Sequence, residues 1–161
     1  MKKVLILSAA MMITALYVKA QASDPELDYI KKAYSKEKKA LVDNYMGLDV
    51  QESGKFWPVY STYEASREKL AHERYNLITH YVHSVGHLTP EGADNMAKGI
   101  LDNNVRLEQL NRENYNKMKT AIGPIKAAKF LQLEIYLQTS WKAYVQDNIP
   151  FIDELDKTKH H

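Results

Sequence analysis

The feature that most constrains the fold of this chain is a series of helix-start signals, each followed by apolar residues at helical spacing. Thr89-Pro90-Glu91 combines an N-cap residue, a proline at the first helical position and an acidic first turn, and Asp24-Pro25-Glu26 repeats this pattern. Asp49 to Glu52 has the spacing of a capping box, and Gly123-Pro124 joins a helix stop to a helix start. Because no run is better explained as a strand, these signals predict four helices and an all-α fold.

The expected helix lengths suggest an extended arrangement. The first helix is expected from Pro25 to the stop at Gly47, and the fourth from Pro124 to about Asn148. The second (Val50 to about Val85) and the third (Pro90 to about Ile122) would each span roughly 50 Å at about 1.5 Å per residue. Long helices with narrow apolar stripes favour an elongated hairpin or cradle, and a homodimer that covers the faces one chain cannot bury.

Each long segment has a predicted core-facing side. In Phe56-Trp57-Pro58, a large aromatic side chain is expected to pin the second helix to the core, and Pro58 should either kink the helix or follow a short one. The apolar stripe expected on the third helix consists of Ala93, Met96, Ile100, Leu107, Leu110 and Met118. The stripe expected on the fourth helix consists of Ala128, Leu131, Ile135, Trp141, Tyr144 and Val145.

The first 22 residues predict export. A start with two lysines, a short apolar run and the small residues Ala20-Gln21-Ala22 are typical of a secretory signal peptide, with cleavage after Ala20 or Ala22. An uncleaved membrane anchor is the alternative, but the apolar run is short for a membrane span. We therefore expect a periplasmic protein with a single all-helical domain over residues 23–152 and a polar, disordered tail over residues 153–161.

Charge and composition exclude several classes of function. Loss of Lys2, Lys3 and Lys19 with the signal peptide lowers the count of Lys and Arg from 22 to 19, against 20 Asp and Glu. Such a balance gives no general attraction for phosphate backbones, so nucleic acid is not an expected partner. The chain has no cysteine, which removes disulfides, thiol catalysis and thiolate metal sites.

Two short motifs resemble those of a known family. Leu88-Thr89-Pro90-Glu91-Gly92 resembles the LTxxQ motif of the Spy/CpxP family of periplasmic stress proteins, with glycine in place of glutamine. Leu48-Asp49-Val50-Gln51-Glu52 is similar to a second, more degenerate copy. The resemblance implies an all-helical cradle made by an antiparallel dimer, and an ATP-independent chaperone or envelope-stress protein that acts on unfolded envelope proteins without a cofactor. The CnrX-type metal sensor, a relative of similar build, implies signalling to a membrane-bound partner instead.

A tyrosine and arginine surface is the candidate site for unfolded clients. Tyr60, Tyr63 and Tyr81 fall on the apolar side of the second helix, with Arg67 and Arg74 between them. Tyrosine offers flat apolar area with a hydroxyl that tolerates water, so such a surface can hold unfolded chains weakly and without sequence preference. An ordinary helix-packing face is the alternative interpretation of the same residues.

Four histidines on the second helix form a candidate metal site. His72, His80, His83 and His87 fall within an arc of about 80° at 100° per residue, opposite the apolar side. The i,i+3 and i,i+4 spacings allow two imidazoles to share zinc, copper or nickel. A solvated face that is rich in histidine is the alternative.

The sequence does not predict an enzyme. Ser35 to Lys38 matches S-x-x-K but lacks the partner motifs of that family, and no phosphate-binding loop or G-x-S-x-G is present. Two hypotheses remain, a chaperone for unfolded proteins and a sensor of metal or envelope stress.

Overall fold

A computed structural model describes residues 37–150 and residue 152 of the chain. Its helices are α1 (residues 37–46), α2 (Val50–Ser84), α3 (Pro90–Ile122) and α4 (Pro124–Asn148), with a 3₁₀ turn at Val85–His87. The expected all-α fold is confirmed, since the described residues contain no strand. The predicted signal peptide, the start of the first helix and the polar tail lie outside the described residues.

The chain forms two compact units, Met1–Asn44 and Tyr45–His161. Within the first unit the structure describes residues 37–44, a stretch of helix in which Lys38 and Val42 are buried. The second unit contains α2, α3 and α4 and all the candidate sites.

The predicted capping motifs are present and set the helix boundaries. The backbone N–H of Glu52 donates to Asp49 Oδ1 at 2.8 Å, and the backbone N–H of Asp49 donates to Glu52 Oε2 at 3.1 Å, which completes a capping box. At the start of α3, the Gly92 N–H donates to Thr89 Oγ1 at 3.1 Å. Gly123 has φ +81°, a left-handed value that favours glycine, and its N–H closes α3 on Lys119 O.

Pro58 lies inside α2 rather than after a short helix. The helix runs without interruption from Val50 to Ser84, so the expected option of a separate short helix before Pro58 is wrong. Phe56, almost two turns into the helix, is fully buried and provides the predicted aromatic anchor, whereas Trp57 is half-buried.

The three helices of the second unit pack in an up-down-up order. α2 packs on α3 and α3 on α4, with short connections that make successive helices antiparallel. At the start of α2 and α4, side chains also join these two helices directly, including an ion pair between Glu52 and Lys126 and an edge-on contact between the rings of Phe56 and Phe130. Farther along, Gly99 of α3 allows Leu77 of α2 to pack closely against the α3 backbone.

Candidate interaction surfaces

The three tyrosines predicted to contact clients are buried. Tyr60, Tyr63 and Tyr81 are between 3% and 5% exposed. The ring of Tyr60 lies 5.8 Å from that of Phe56 and 5.9 Å from that of Phe130. The Tyr81 hydroxyl donates to the carbonyl of Pro150 just after α4. In this chain these side chains therefore hold α2 against α4, which agrees with the packing interpretation of the stripe.

A buried polar network surrounds the hydroxyl of Tyr63. The Tyr63 hydroxyl is 3.0 Å from Asn111 Oδ1, 3.1 Å from Glu134 Oε2 and 3.0 Å from Gln138 Nε2. The network joins all three helices at one level, and Asn111 and Glu134 are almost completely buried. Burial, followed by the charge of Glu134 and the hydrogen bond to it, raises the pKa of Tyr63 well above its usual value.

The two arginines predicted to flank the tyrosines are partly buried on the same side of α2. Arg67 forms a bidentate pair with Glu64, through contacts of 2.6 and 3.0 Å. Burial opposes the charge of Arg67, but the hydrogen bond and charge of Glu64 outweigh it and raise the pKa of the guanidinium. Arg74 donates to Asn104 Oδ1 of α3 at 2.9 Å, and burial lowers its pKa.

Sequence reasoning missed the asparagines that occupy the core-facing side of α3. Asn103, Asn111 and Asn114 are buried, whereas only Leu107 and Met118 of the predicted stripe are. The Asn103 side chain donates to the carbonyl of Leu70 at 2.8 Å. The sequence contained a signal, because Asn103, Asn111 and Asn114 lie three or four residues from one another or from Leu107 and Met118 and so share their side of the helix.

None of the residues of the predicted stripe on α4 is buried. The residues that α4 buries are Ala127, Phe130, Leu133 and Glu134. Ile135, Trp141 and Tyr144, which were expected to face the core, are exposed. Ile135 lies on a different side of the helix from Phe130, whereas Trp141 and Tyr144 share the side of Phe130 but are left exposed in the second half of the helix.

The second half of α4 exposes four large apolar side chains within ten residues. Ile135 is 48% exposed, Tyr136 67%, Trp141 52% and Tyr144 62%. The rings of Trp141 and Tyr144 stack with their centroids 5.8 Å apart. We call these four residues the α4 apolar surface. Residues 135–146 contain a single charged side chain, Lys142, so little charge interrupts this surface.

The four predicted metal-binding histidines are exposed on the outer side of the helix. His72, His80 and His83 belong to α2, whereas His87 lies in the 3₁₀ turn after it. The Nδ1 atom of His83 is 2.8 Å from the carbonyl of Thr79, which leaves Nε2 directed away from the backbone. Among the described residues, no group of three or more His, Asp or Glu side chains is arranged to hold a metal ion.

A small crevice lies between α2 and α3 beside the buried network. Its volume is about 70 Å³, which is well below the roughly 300 Å³ of the smallest pockets for drug-sized ligands. Its lining residues are Val59, Thr62, Tyr63, Ser66, Leu110, Glu113, Asn114 and Lys117. This crevice admits a few solvent molecules rather than a substrate.

Comparisons with known proteins found no similar protein. No family model matches the chain, and neither curated proteins nor solved structures give a significant match. Separately, none of the helices in the described part is both long and apolar enough to cross a membrane.

Proposed function

We propose that this protein is an exported, ATP-independent chaperone of the periplasm that holds unfolded envelope proteins on the α4 apolar surface. The observation that carries this proposal is the exposure of Ile135, Tyr136, Trp141 and Tyr144 in a segment with one charge. Four exposed apolar side chains in one short, weakly charged segment provide apolar area for contact with another chain.

The distribution of these side chains fits a weak and general binding mode. At 100° per residue the four side chains point to different sides of α4, so the segment offers apolar area around much of its circumference. Aromatic rings with polar groups tolerate contact with both water and apolar segments. A flexible client can therefore contact the helix in many registers, which suits a holdase better than a receptor for one defined ligand.

This proposal keeps the predicted class of function and changes the predicted surface. The LTxxQ-like sequences at the starts of α2 and α3 act as helix caps, as the Asp49 and Thr89 side-chain hydrogen bonds demonstrate. These sequences support a Spy/CpxP-like assignment only because they lie at the starts of two helices, as the family's motifs do. The contact residues we propose are those of α4 and not the buried Tyr60, Tyr63 and Tyr81.

The direct test is light scattering from a denatured client diluted into buffer with the purified chain and no ATP. Suppression at a near-stoichiometric ratio, unchanged by a chelator, is expected for the unmodified protein. Trp141→Ser combined with Tyr144→Ser should abolish most of it. Val50→Ser combined with Ile125→Ser, at two very exposed positions near the other end of the helices, is the matched control and should leave suppression intact. Suppression that survives the α4 changes would exclude this surface.

Fluorescence provides a second readout of the same contact. The chain has two tryptophans, Trp57 and Trp141, so Trp57→Phe leaves Trp141 as the sole indole reporter. Binding of an unfolded client should shift the emission of Trp141 to shorter wavelength because its exposed ring leaves water. An unchanged spectrum in the presence of bound client would place the client elsewhere.

Metal sensing is the second candidate function, and it rests on the outward pair His80 and His83. With Nδ1 of His83 bonded to the backbone, Nε2 is the nitrogen available to a metal, an orientation that is common among histidine ligands. Zinc, copper or nickel would need further ligands from a partner molecule or from water. A metal titration that responds to His80→Ala plus His83→Ala, but not to His72→Ala, would favour this function.

A further inference from the structure

The second half of α4 directs two of its exposed rings toward α2. Near their starts the two helices meet through the rings of Tyr60 and Phe130, which lie 5.9 Å apart. At 100° per residue, Trp141 and Tyr144 fall within about 40° of Phe130 on α4. Both rings therefore point toward the gap between α4 and α2, as Phe130 does.

The facing side of α2 is also apolar in its second half. Tyr75, Ile78 and Val82 fall within about 60° of Tyr60 on their own helix. Tyr75 is 41% exposed and Val82 is 40% exposed, so the gap between the two rows is open. We call this gap the α2–α4 groove, and the residues along its two sides are Tyr75, Ile78, Val82, Trp141 and Tyr144.

Arg74 places a positive charge in this groove. It falls within about 40° of Tyr60 on α2, and its guanidinium donates to the neutral amide oxygen of Asn104 at 2.9 Å. Burial lowers the pKa of Arg74, and among the described residues no carboxylate is close enough to offset that effect. A charge-assisted hydrogen bond from an incoming carboxylate would stabilise such a half-buried cation. The groove thus suits a segment that combines apolar and acidic side chains.

The chain that follows α4 starts at the far end of this groove and has that composition. The Tyr81 hydroxyl donates to the carbonyl of Pro150 at 3.0 Å, which fixes the point where the chain leaves the helices. The chain bends at Ile149 and again at Ile152. Residues 151–156 read Phe-Ile-Asp-Glu-Leu-Asp, three apolar and three acidic residues in a row of six.

The length of this segment matches the distance to the buried charge. Arg74 precedes Tyr81 by seven residues, which is about 10 Å along the helix at about 1.5 Å per residue. An extended chain covers that distance in about three residues, at about 3.3 Å each. A chain that turns back at Pro150 therefore brings Asp153 or Glu154 to the level of Arg74.

We propose that residues 151–156 fold back into the α2–α4 groove, with Asp153 or Glu154 paired with Arg74. The apolar side chains of the segment then cover part of the apolar area that α2 and α4 expose. For residues 153–156 this replaces the expected disordered tail by a docked segment. Because Trp141 and Tyr144 also belong to the α4 apolar surface, the segment competes with unfolded clients, and this competition rests on the proposed function.

The emission of Trp141 tests the docking without any client. Trp57→Phe leaves Trp141 as the only indole in the chain. In that background, a chain that stops at Pro150 should emit at longer wavelength than the full chain, because the indole loses its cover and gains water. Equal emission from the full and the shortened chain would overturn the proposal.

Charge variants within the segment test the pairing with Arg74. Asp153→Asn combined with Glu154→Gln should reproduce most of the shift seen on shortening, since neutral amides form weaker bonds to a guanidinium. Lys157→Gln combined with Lys159→Gln changes two charges farther along the chain and is the matched control, with no expected shift. All four positions follow α4, so the packing of the helices is unchanged. Emission that ignores the acidic pair would refute the pairing.

Designed disulfides test the place of contact. Because the chain contains no cysteine, any disulfide reports only the introduced residues. Tyr75→Cys combined with Ile152→Cys should form an internal disulfide. Lys98→Cys combined with Ile152→Cys is the control, because Lys98 is exposed on α3 beside Gly99, which contacts Leu77 at a similar level of the molecule. Equal rates of disulfide formation in the two variants would show that the segment has no preference for the groove.

Client affinity separates this inference from the proposed function. If the segment occupies the groove about four-fifths of the time, its removal should lower the Kd for a denatured client about fivefold. Equal affinity of the full and the shortened chain would overturn the competition. If neither chain binds the client, the proposed function fails, whereas a shift of the Trp141 emission on shortening would still support the docked segment.

Discussion

The two halves of α2 pack against the rest of the second unit in different ways. Near its start, Phe56, Tyr60 and Tyr63 form a buried aromatic cluster with Phe130 of α4. Farther along, the corresponding side of α2 carries Arg67, which pairs with Glu64 of the same helix, and Arg74, which donates to Asn104 of α3. The buried ring of Tyr81 follows on this side.

The difference has a consequence for α4. Its first half is buried against the aromatic cluster, whereas Trp141 and Tyr144 in its second half are exposed although they fall on the same side of the helix as Phe130. The first half of α4 is therefore packed, whereas its second half exposes Trp141 and Tyr144. We expect the first half of α4 to stabilise the fold and the second half to provide an exposed binding surface. The predictions below test this difference.

The largest expected effect is the loss of a ring from the aromatic cluster. Phe56→Ala removes a fully buried side chain that contacts Trp57, Tyr60 and Phe130. We expect the free energy of unfolding to fall by about 3–5 kcal/mol, as for other buried phenylalanines. Urea denaturation followed by circular dichroism measures it. A loss below about 1 kcal/mol would show that the cluster does not anchor the fold.

The next effect concerns the polar network that closes the cluster. Tyr63→Phe keeps the ring but leaves Asn111 Oδ1 and Glu134 Oε2 without the hydroxyl in a buried site. We expect a loss of about 1–3 kcal/mol in unfolding free energy, the usual cost of an unmet buried polar group. Tyr75→Phe, at an exposed tyrosine of the same helix, is the control and should be neutral. Equal effects of the two changes would refute a specific role for the network.

Sequence predicted the helix ends well because they are determined locally. The capping box at Asp49 and Glu52 and the threonine cap before Pro90 need only neighbouring residues, and the structure has both. The end of α2 at Ser84 lies within one residue of the prediction. Cap chemistry therefore carries enough information to place a boundary without knowledge of the partner helices.

Sequence predicted the packing less well because burial depends on neighbouring helices. Asn103 and Asn111 are core residues only because Leu70 O and the Tyr63 hydroxyl are placed to bond them. The buried tyrosines were candidates for a surface, since tyrosine suits both rim and core. Which part of α4 is covered was equally undetermined from spacing, because that depends on how the neighbouring helices pack against it.

The buried tyrosines also predict how stability responds to alkaline pH. Burial raises the pKa of Tyr60 and of Tyr63 far above the usual value of about 10. Above about pH 10 the unfolded chain loses phenol protons that the folded chain retains, so stability present below that pH declines as pH rises. Urea denaturation at several pH values measures this decline. Tyr60→Phe combined with Tyr63→Phe should flatten it, and a slope unchanged by that pair would assign the effect to other groups.

The smallest expected effect on stability comes from changes in the second half of α4, where the large side chains are exposed. Trp141→Ser with Tyr144→Ser removes two rings that are more than half exposed and that stack on each other. We expect the unfolding free energy to change by less than about 1 kcal/mol, as at other exposed positions. Thermal and urea denaturation of this variant would measure the change. A loss as large as that of Phe56→Ala would show that the second half of α4 is part of the core. A small loss of stability together with a loss of client binding would show that Trp141 and Tyr144 serve binding, whereas the aromatic cluster around Phe56 stabilises the fold.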